Sequence, residues 1–331
     1  MLTPQSNTTL TAIAQVLRDH DSFAICGHVN PDGDCLGSQL ALAHALRKLG
    51  KQVDCLLARN ESVPHNLRFL PGSDLLQPAE GYMATPQVFV AVDVPTPERL
   101  GDAAAVQERC DVRVTMDHHA TEGCMAQYNY VDPDAAACCC IVWELVGLLG
   151  AKTQPAAQCA LTGMITDTGR FSYQNTNQAA LEAAADAVAS GGDPALVARE
   201  LFQNNTRASM ELKKVALSRM TFACDGAFAY AWLGIDDLNK AEATRADAEA
   251  LIDELRDVAG VRVALLLRQS VDGQVRGSLR AKDDTDVAQV ARSFDGGGHK
   301  AAAGFTYHGD MQGALHDCVA AVERLCFQER A

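Results

Sequence analysis

The sequence predicts an α/β protein in two parts, a parallel sheet covered by helices followed by a smaller α/β domain. Short apolar runs alternate with helical patterns, as where SFAIC (22–26) precedes GSQLALAHALRKLG (37–50). These runs are almost continuously apolar, which is typical of parallel strands buried on both faces. The length of 331 residues exceeds what one hydrophobic core usually fills, so two domains are expected.

The other elements of the N-terminal part follow from the same patterns. Three apolar runs predict further strands: KQVDCLLA (51–58), QVFVAVDV (87–94) and VRVTMDHH (112–119). Apolar residues at helical spacing predict helices at 133–150 and 154–169. A helix, a Gly-Gly break and a second helix are expected within 178–202.

The C-terminal part begins near Thr221 and mixes strands with helices. FAYAWLG (228–234) predicts a strand, and VRVALLLRQ (261–269) with QVRGSLRA (274–281) predicts an antiparallel pair across SVDG. Helical spacing predicts helices at 243–260 and 286–294.

These patterns set the expected domain limits. The N-terminal domain spans 1–190 and the C-terminal domain spans 220–331. The stretch between them, 191–219, is polar and then helical, which predicts a linker and a candidate hinge.

The composition excludes several classes of protein. No apolar run reaches the ~18 residues of a membrane-spanning helix. The N-terminus lacks a basic start followed by an apolar run, so a cytoplasmic protein is expected. The net charge of −14 argues against binding of long nucleic acid but allows a short anionic substrate held by metal ions. The twelve cysteines include no CxxC pair and are expected to be reduced thiols.

Imidazole and carboxylate side chains collect at four places near predicted strand or helix ends. They are His28, Asp32 and Asp34; Asp93; Asp117, His118 and His119; and Asp167. Ligands bind at the carboxyl edge of parallel sheets, so these side chains are expected to meet there. Mixed imidazole and carboxylate ligands suit a divalent ion such as Mn²⁺. Four of the aspartates would neutralise two such ions, with one carboxylate from the central strand as a bridge.

Each motif has an ordinary explanation when it stands alone. PDGD (31–34) is a typical turn, and DHH (117–119) is a weak string. A single histidine at a strand end is more often a hydrogen-bonded surface residue. The joint occurrence of all four motifs in one half of the chain favours a metal centre.

The motifs also resemble those of a known family. HVNPDGDCLGS (28–38), VDVPTPERLG (92–101), DHH and TDTGRF (166–171) resemble, in that order, the four motifs of the DHH phosphoesterases. GSLRAKDDTDVAQVARSFDGGGHKAAAGF (277–305) is similar to the companion DHHA1 domain. The build without further domains resembles the nano-RNase branch. Members of that branch degrade short oligoribonucleotides and also dephosphorylate 3′-phosphoadenosine 5′-phosphate (pAp).

The resemblance implies a site for two divalent ions, commonly Mn²⁺, with Mg²⁺ or Co²⁺ as alternatives. The ligands would be divided between the ions, one held by His28, Asp32 and Asp93, the other by Asp34, Asp93, His118 and Asp167. His119 would lie beside the reacting phosphate as a catalytic residue. Asp117, also in the catalytic set, would orient a histidine.

The resemblance further implies substrate-binding residues, most of them in the C-terminal domain. They are Arg280, Gly296, Gly297, Gly298, His299 and Lys300, with Arg99 and Arg170 from the N-terminal domain. The glycines would let the backbone approach a phosphate closely. For Arg170 a structural ion pair is an equal alternative. Two positions depart from the family pattern: Asp295 replaces a common glycine, and Thr96 replaces a common acid.

The activity implied by the resemblance is hydrolysis of short oligoribonucleotides to nucleoside monophosphates. Dinucleotides such as pApA or pGpG would be favoured, and pAp would be a second substrate. No long nucleic acid and no membrane are expected as partners, while a homodimer is an expectation from the family alone.

Several alternatives stay open at this point. The same metal site would serve a phosphodiesterase for cyclic dinucleotides. A pyrophosphatase of the family lacks the GGGH-type domain, and an exonuclease of the RecJ type needs extra domains and a basic channel. A non-catalytic nucleotide-binding protein is the alternative of another class.

Overall fold

The chain divides into two compact units. The computed structural model describes residues 3, 5–120, 124–244, 247–248, 251–270 and 273–327, apart from the side chain of His299. The first unit is Met1–Asn204 and the second unit is Asn205–Ala331.

Within the described residues, the first unit contains a six-stranded parallel sheet. Its strands are β1 (Ser22–Cys26), β2 (Gln52–Leu57), β3 (Leu76–Pro78), β4 (Val88–Val92), β5 (Val112–Asp117) and β6 (Tyr128–Val131). Its helices are α1 (Leu10–Asp19), α2 (Gly33–Lys48), α3 (Ala104–Arg109), α4 (Cys138–Leu148), α5 (Gln154–Asp167), α6 (Gln178–Ala189) and α7 (Pro194–Phe202). All neighbouring strands are parallel, which confirms the predicted sheet.

The strand order β3-β2-β1-β4-β5-β6 reverses direction between β1 and β4. Connections from β1 run outward to one edge of the sheet, and those from β4 run outward to the other. Such a reversal leaves a crevice beyond the carboxyl ends of the two central strands, and ligands of open α/β sheets bind there.

Strand β4 shows why the centre of this sheet is rigid. Val88, Val90 and Val92 pack into the core that holds α1, α2, α4 and α5, whereas Phe89 and Ala91 pack into a second core on the opposite face. All five side chains are fully buried. Burial on both faces fixes the strand and hence the position of the residue that follows it.

Helices α2 and α5 pack closely because glycines lie at their contact. A Cβ on Gly37 would lie 2.6 Å from the carbonyl oxygen of Cys159. A Cβ on Gly163 would lie 2.2 Å from Cys139 Sγ and 2.7 Å from Asp34 Oδ1. These contacts leave no room for a side chain, so the glycines set how closely the two helices approach.

The second unit is built on a mixed sheet, which has six strands in the described residues. Its strands are β7 (Thr221–Ala223), β8 (Phe228–Leu233), β9 (Val263–Gln269), β10 (Val275–Ala281), β11 (Gly297–His299) and β12 (Ala302–Tyr307). Its helices are α8 (Arg207–Ser218), α9 (Ile235–Lys240), α10 (Leu251–Arg256), α11 (Ala288–Arg292) and α12 (Met311–Val322). The order is β11-β12-β10-β9-β8-β7, and only the β8–β9 pair is parallel among these strands.

Two of the elements predicted for the second unit are present in the structure. The predicted antiparallel pair is confirmed as β9 and β10. The helix predicted at 286–294 is present as the shorter α11. The helix predicted at 243–260 falls partly on 245–246 and 249–250, which lie outside the described residues, and its described part contains α10.

The stretch predicted as a linker contains α7 and α8. Helix α7 belongs to the first unit, whereas α8 packs Leu212 and Ala216 into a core of the second unit. The hinge function of 191–219 stays a prediction. Among the described helices, none combines the length and apolar character that crossing a bilayer requires. All twelve cysteines are unpaired, and Cys138 and Cys139 are buried.

Candidate metal centre

The four sequence motifs meet at the carboxyl edge of the parallel sheet, at the β1–β4 reversal. His28 lies two residues after β1, Asp93 follows β4 directly, and Asp117 is the last residue of β5. Asp34 lies in the first turn of α2, and Asp167 is the last residue of α5. The close packing of α2 and α5 therefore brings two further carboxylates to this edge.

His28 is oriented by its own loop. Its Nδ1 donates a hydrogen bond to the carbonyl oxygen of Val29 at 2.9 Å. Its Nε2 then faces two carboxylates, Asp93 Oδ2 at 3.4 Å and Asp32 Oδ2 at 3.7 Å. Asp32 is itself fixed, because its Oδ1 caps the N-terminus of α2.

His118 is the corresponding histidine on the other side of Asp93. Its Nδ1 donates to the carbonyl oxygen of Ala135 at 3.2 Å. Its Nε2 lies 3.5 Å from Asp93 Oδ1 and 3.8 Å from an oxygen of Asp34 and of Asp167. Both histidines thus keep a proton on Nδ1 and direct Nε2 toward carboxylates.

Asp34 has a second function that the sequence did not reveal. Its Oδ2 accepts a hydrogen bond from the backbone N–H of Cys138 at 2.6 Å, and its Oδ1 accepts one from Cys139 at 2.9 Å. Asp34 therefore caps the N-terminus of α4 from another helix. The positive end of the α4 dipole helps to hold this buried carboxylate in place.

The carboxylate of Asp93 lies between His28 and His118. One of its oxygens faces His28 and the other faces His118. Its backbone is left-handed (φ 59°), a strained conformation that its N–H stabilises by donating to Met116 at 3.0 Å. The side chain is 3% exposed, and its buried Oδ1 accepts no hydrogen bond from the described residues.

These distances fit metal ligands better than hydrogen bonds. Separations of 3.4–3.8 Å between histidine nitrogens and carboxylate oxygens exceed normal hydrogen-bond lengths. Two donor atoms that each lie about 2.1–2.2 Å from one ion, at ligand–ion–ligand angles of about 90–120°, are about 3.0–3.8 Å apart. Together with the orphaned oxygen of Asp93, the geometry fits two divalent ions that share this carboxylate. The assignment of individual ligands stays a prediction.

His119 and Asp117 form a pair beside this cluster. The Nδ1 of His119 donates to Asp117 Oδ1 at 2.8 Å and lies 3.6 Å from Asp93 Oδ1. The same Asp117 oxygen accepts the backbone N–H of His118 at 2.9 Å. Asp117 is buried and therefore fixes the orientation of the DHH segment. Its orienting function in catalysis stays a prediction.

The carboxylates strongly perturb the two ligand histidines in the ion-free protein. Burial opposes protonation of His28, but the nearby carboxylates of Asp32 and Asp93 outweigh burial and raise its pKa to about 11. Burial acts likewise on His118, and the nearby carboxylates, Asp93 first, raise its pKa to about 11. A divalent ion bound at these nitrogens would have to replace their protons.

The pKa values of the carboxylates shift in two directions. Burial, followed by repulsion from neighbouring carboxylates, raises the pKa of Asp34 to about 6 and that of Asp167 to about 8. Burial would also raise the pKa of Asp93, but His118 and His28 lower it well below its usual range. The crowded negative charge therefore needs counter-charge, which protons or divalent cations can supply.

One ligand-type residue at the cluster was not predicted. Cys35 Sγ belongs to a group with His28 and Asp93 in which all ligand atoms lie within 4.8 Å of one another. The sulfur lies only 2.1 Å from the place that a Cβ on Gly27 would occupy, so the glycine makes room for it. Its position directly after Asp34 was the available sequence signal.

The predicted substrate residues of the second unit lie around β10 and β11. Arg280 is half-buried on β10, and its Nη1 donates to the carbonyl oxygen of Leu279 at 3.1 Å. Lys300 is exposed, with its Nζ 3.4 Å from Asp284 Oδ1. The predicted contact of the His299 side chain lies outside the described side chains. The binding functions of these residues stay predictions.

The three glycines at 296–298 have different surroundings: two are closely packed and one faces open space. A Cβ on Gly296 would lie 2.4 Å from the carbonyl oxygen of Gly304, and Gly298 has φ 140°. Gly297, in contrast, has open space where a side chain would stand. Asp295 is exposed and adopts φ 55°, a left-handed conformation that explains why glycine is common there.

The two predicted arginines of the first unit are both exposed. The carbonyl oxygen of Arg99 accepts the N–H of Val29 at 2.8 Å, which ties the Arg99 segment to the His28 loop. The guanidinium of Arg170 lies 4.9 Å from the centre of the Phe202 ring, a cation–π contact. Neither contact tests binding of a substrate.

Comparisons with known proteins identify the family of each domain. Residues 22–191 match the N-terminal domain of the DHH family, and residues 225–326 match the DHHA1 domain. A relative from Thermus thermophilus, named bifunctional oligoribonuclease and PAP phosphatase NrnA, is 31% identical over 94% of this chain and 92% of its own. The relative of the same name from Bacillus subtilis is 25% identical over 89% of this chain and 92% of its own.

Solved structures show a similar fold. An exopolyphosphatase-related protein from Bacteroides fragilis aligns with a TM-score of 0.90 at 23% identity over 98% of each chain. The exonuclease RecJ bound to manganese aligns with a TM-score of 0.56 at 15% identity, over 98% of this chain and 95% of its own. The match over 22–191 and the relative that is 31% identical along nearly the whole chain identify this protein as a member of the DHH family, with a DHHA1 domain following the DHH domain.

Proposed function

We propose that this protein is a divalent-metal-dependent phosphodiesterase that hydrolyses short oligoribonucleotides to nucleoside monophosphates. Dinucleotides such as pApA or pGpG are the proposed preferred substrates, and dephosphorylation of pAp is a second proposed activity. Relatives that match along almost their whole length are named for both activities. The observation that carries the proposal is the pair of histidines, His28 and His118, that face opposite oxygens of Asp93.

The metal centre would supply the reactive groups, with Mn²⁺ as the proposed ion. Two divalent ions held there would polarise the phosphate and acidify a water molecule for attack on phosphorus. The protein supplies the fixed frame. Asp93 is held by the rigid strand β4, and Asp34 is held by the N-terminus of α4. The ligands therefore need little rearrangement when ions bind.

His119 is proposed to stabilise charge at the reacting phosphate. Because the Asp117 carboxylate accepts a hydrogen bond from Nδ1, that nitrogen keeps its proton. The ring is thereby held in one orientation next to the ligand cluster. From that place an N–H on Nε2 would donate to the phosphate oxygens and stabilise the negative charge that develops on them.

The second unit is proposed to bind the terminal 5′-phosphate of the substrate. Arg280 offers a planar guanidinium that binds phosphate through two parallel hydrogen bonds. Lys300 adds positive charge, and Gly297 leaves space for a close approach to the backbone. Arg99 and Arg170 are further candidates for contact with the substrate.

Metal dependence tests the proposed function directly. Purified protein is freed of metal, its metal content is measured, and release of nucleoside monophosphate from a 5′-phosphorylated dinucleotide is followed. Chelated protein is expected to be inactive, and added Mn²⁺ is expected to restore turnover. Full activity with no detectable metal would refute the two-metal proposal.

The same assay separates the alternatives. Linear dinucleotides, cyclic dinucleotides and pAp are compared at equal concentration, and the linear dinucleotide is expected to be hydrolysed with the highest kcat/KM. A preference for a cyclic dinucleotide would contradict the proposed substrate. Nucleotide binding without hydrolysis in any divalent ion would contradict an enzyme altogether.

A further inference from the structure

One exposed side chain joins the ends of two helices that border the metal centre. Asn175 is exposed, and its Nδ2 donates to the carbonyl oxygen of Ala136 at 2.9 Å and to that of Asp167 at 3.1 Å. Asp167 is the last residue of α5, and Ala136 lies two residues before α4. The last carbonyl groups of a helix lack a partner within the helix, so this amide satisfies one of them at the end of α5.

The loop before α4, residues 134–136, orients a ligand histidine. The carbonyl oxygen of Ala135 accepts the Nδ1 proton of His118 at 3.2 Å. A second asparagine holds the same loop, because Asn177 Nδ2 donates to the carbonyl oxygen of Asp134 at 3.0 Å while its Oδ1 caps α6. The loop is therefore fastened on both sides of the carbonyl group that fixes the His118 ring.

The same loop leads directly into α4, which holds a third ligand-type side chain. The first two N–H groups of α4 donate to the carboxylate of Asp34 at 2.6 and 2.9 Å. A shift of the backbone at Ala136 would move these donors. Asn175 is thus connected, through backbone groups, to three ligand-type residues: Asp34, His118 and Asp167.

The ligand-type residues on the other side of Asp93 are supported separately. The Nδ1 of His28 donates to the carbonyl oxygen of Val29 at 2.9 Å, and Oδ1 of Asp32 caps α2. Both contacts lie within the segment that joins β1 to α2. The two sides of the metal centre therefore depend on different parts of the chain for their orientation.

The turn after Asp167 has an unfavourable backbone conformation. Gly169, Arg170 and Phe171 are all left-handed, with φ 55°, 63° and 60°, and residues other than glycine rarely adopt this conformation. Thr168 supports the turn, since its Oγ1 accepts the N–H of Phe171 at 3.0 Å. Strain of this kind persists where the surrounding structure imposes it, and it is common near functional sites. This turn brings the chain back to the end of α5.

We propose that Asn175 is a positioning residue for one of the two ions, the ion on the His118 side of Asp93. This inference rests on the proposed two-metal function and adds to it a support outside the ligand set. Asn175 acts through the backbone groups that hold the ligands. Loss of a group that orients a metal ligand typically lowers metal affinity 10- to 100-fold, so an effect of roughly this size is expected on one ion.

Titration of metal-free, full-length protein with Mn²⁺ measures this effect without turnover. Asn175→Ala is expected to weaken one ion roughly 10- to 100-fold and to leave the affinity for the other close to wild type. Asn175→Leu keeps nearly the same shape but has no donor, and it is expected to behave like Asn175→Ala. Asn60→Ala is the matched control: Asn60 is also exposed in the first unit, its amide donates to the Glu80 side chain, and both affinities should stay unchanged.

Variants of the two ligand histidines identify the affected ion. In a His118→Ala protein the ion on that side is already lost, so Asn175→Ala is expected to cause no further change in the affinity of the remaining ion. In a His28→Ala protein the remaining ion is the one on the His118 side, and Asn175→Ala is expected to weaken it by the same factor as in wild type. Equal weakening in both backgrounds, or none in either, would overturn the proposal.

A purely structural function of Asn175 would give a different result. Urea unfolding of the chelated proteins measures fold stability separately. A loss of stability with both Mn²⁺ affinities unchanged, or an Asn175→Leu protein that binds both ions like wild type, would overturn the proposal. Hydrolysis of a dinucleotide by Asn175→Ala is expected to fall at low Mn²⁺ and to recover at saturating Mn²⁺, because every ligand is still present. A wild type that binds both ions but hydrolyses no dinucleotide would refute the proposed function, while the Mn²⁺ affinities would still decide this inference.

Discussion

Asp93 and His119 lie within 3.6 Å of each other but are expected to have separable functions. Asp93→Ala removes the carboxylate between His28 and His118, so both ions should bind poorly. We expect kcat/KM to fall by more than about three orders of magnitude, with loss of bound metal. His119→Ala should keep its metal and lose roughly 10²–10³ in kcat, as when one charge-stabilising donor is removed.

The metal content of both variants is measured together with their kinetics. Asp93→Ala and His119→Ala then serve as controls for each other, because only the first is expected to lose metal. Asp93→Asn tests the charge at constant volume and should resemble Asp93→Ala. A His119→Ala protein that cannot hold metal would show that His119 is a ligand, which its proximity to Asp93 and His118 allows. An Asp93→Ala protein with full metal content would contradict the bridging carboxylate.

The candidate ligands were predictable because each motif is local. PDGD, DHH and TDTG combine ligand-type side chains within a few residues, and strand ends in a parallel sheet converge at one edge. The capping of α4 by Asp34 was not predictable, because the hydrogen-bonded residues are more than a hundred positions apart in the chain. No local pattern encodes such a contact.

The first residue of helix α4 was also not predictable from the local sequence. Apolar residues at helical spacing predicted a helix over 133–150, but the structure begins α4 at Cys138. Ala137 at the N-cap has an extended backbone and provides no side-chain cap. Asp34 from α2 caps the first turn instead, so tertiary structure decides where the helix begins.

The contact between α2 and α5 gives a prediction at this scale. Gly163→Ala would place a methyl group 2.7 Å from Asp34 Oδ1 and against Cys139. Overpacking of this kind should lower the free energy of unfolding of the first unit by about 1–3 kcal/mol and weaken metal binding, because Asp34 must shift. Urea unfolding with and without Mn²⁺ measures both effects.

Gly147→Ala is the matched control for this substitution. Gly147 lies in helix α4, and its added methyl group would meet only the flexible end of Lys152 at 3.3 Å. It should stabilise the helix by up to about 1 kcal/mol and leave metal binding unchanged. Equal effects of the two alanine substitutions would contradict the importance of the α2–α5 contact.

For the whole molecule, the metal centre couples stability to pH. In the ion-free protein the pKa values of Asp34 and Asp167 rise from 3.8 to about 6 and 8, and those of His28 and His118 rise from 6.5 to about 11. Because all four pKa values are raised on folding, each group binds more protons in the folded state than in the unfolded state. This difference covers part of the range pH 5–9 for some groups and all of it for others. The free energy of unfolding of chelated protein should therefore fall as pH rises through this window. Asp93, with its lowered pKa, contributes stability that is already complete above about pH 5.

Bound ions should reverse this trend, because they take the place of the protons. Stabilisation by Mn²⁺ is expected to grow with pH as binding needs to displace fewer protons. Thermal unfolding in chelator and in Mn²⁺ at pH 5.5, 7 and 8.5 measures the divergence. Asp167→Asn should flatten the chelator curve, since it removes one of the raised pKa values. A chelated wild type that becomes more stable between pH 6 and 9 would contradict the raised pKa values of these four side chains.

Substrate length should be limited by charge. The chain has a net charge of −14, so few attractive contacts are available to additional nucleotides of a long strand. Arg280 is proposed instead to bind one terminal phosphate through two hydrogen bonds. Dinucleotides should therefore have the highest kcat/KM, and efficiency should fall with each added nucleotide. Assays on RNAs of two to seven nucleotides measure this dependence.

Arg280→Ala tests whether the terminal phosphate sets this length preference. The variant should raise KM on a 5′-phosphorylated dinucleotide, and removal of the phosphate from the substrate should have the same effect in wild type. Because both changes delete one contact, their combined effect on kcat/KM should be smaller than the product of the separate effects. Arg276→Ala, on the same face of β10, is the control and should leave the dependence on the phosphate unchanged. Independent effects of Arg280→Ala and phosphate removal, or a wild type that prefers long RNA, would contradict a phosphate contact at Arg280.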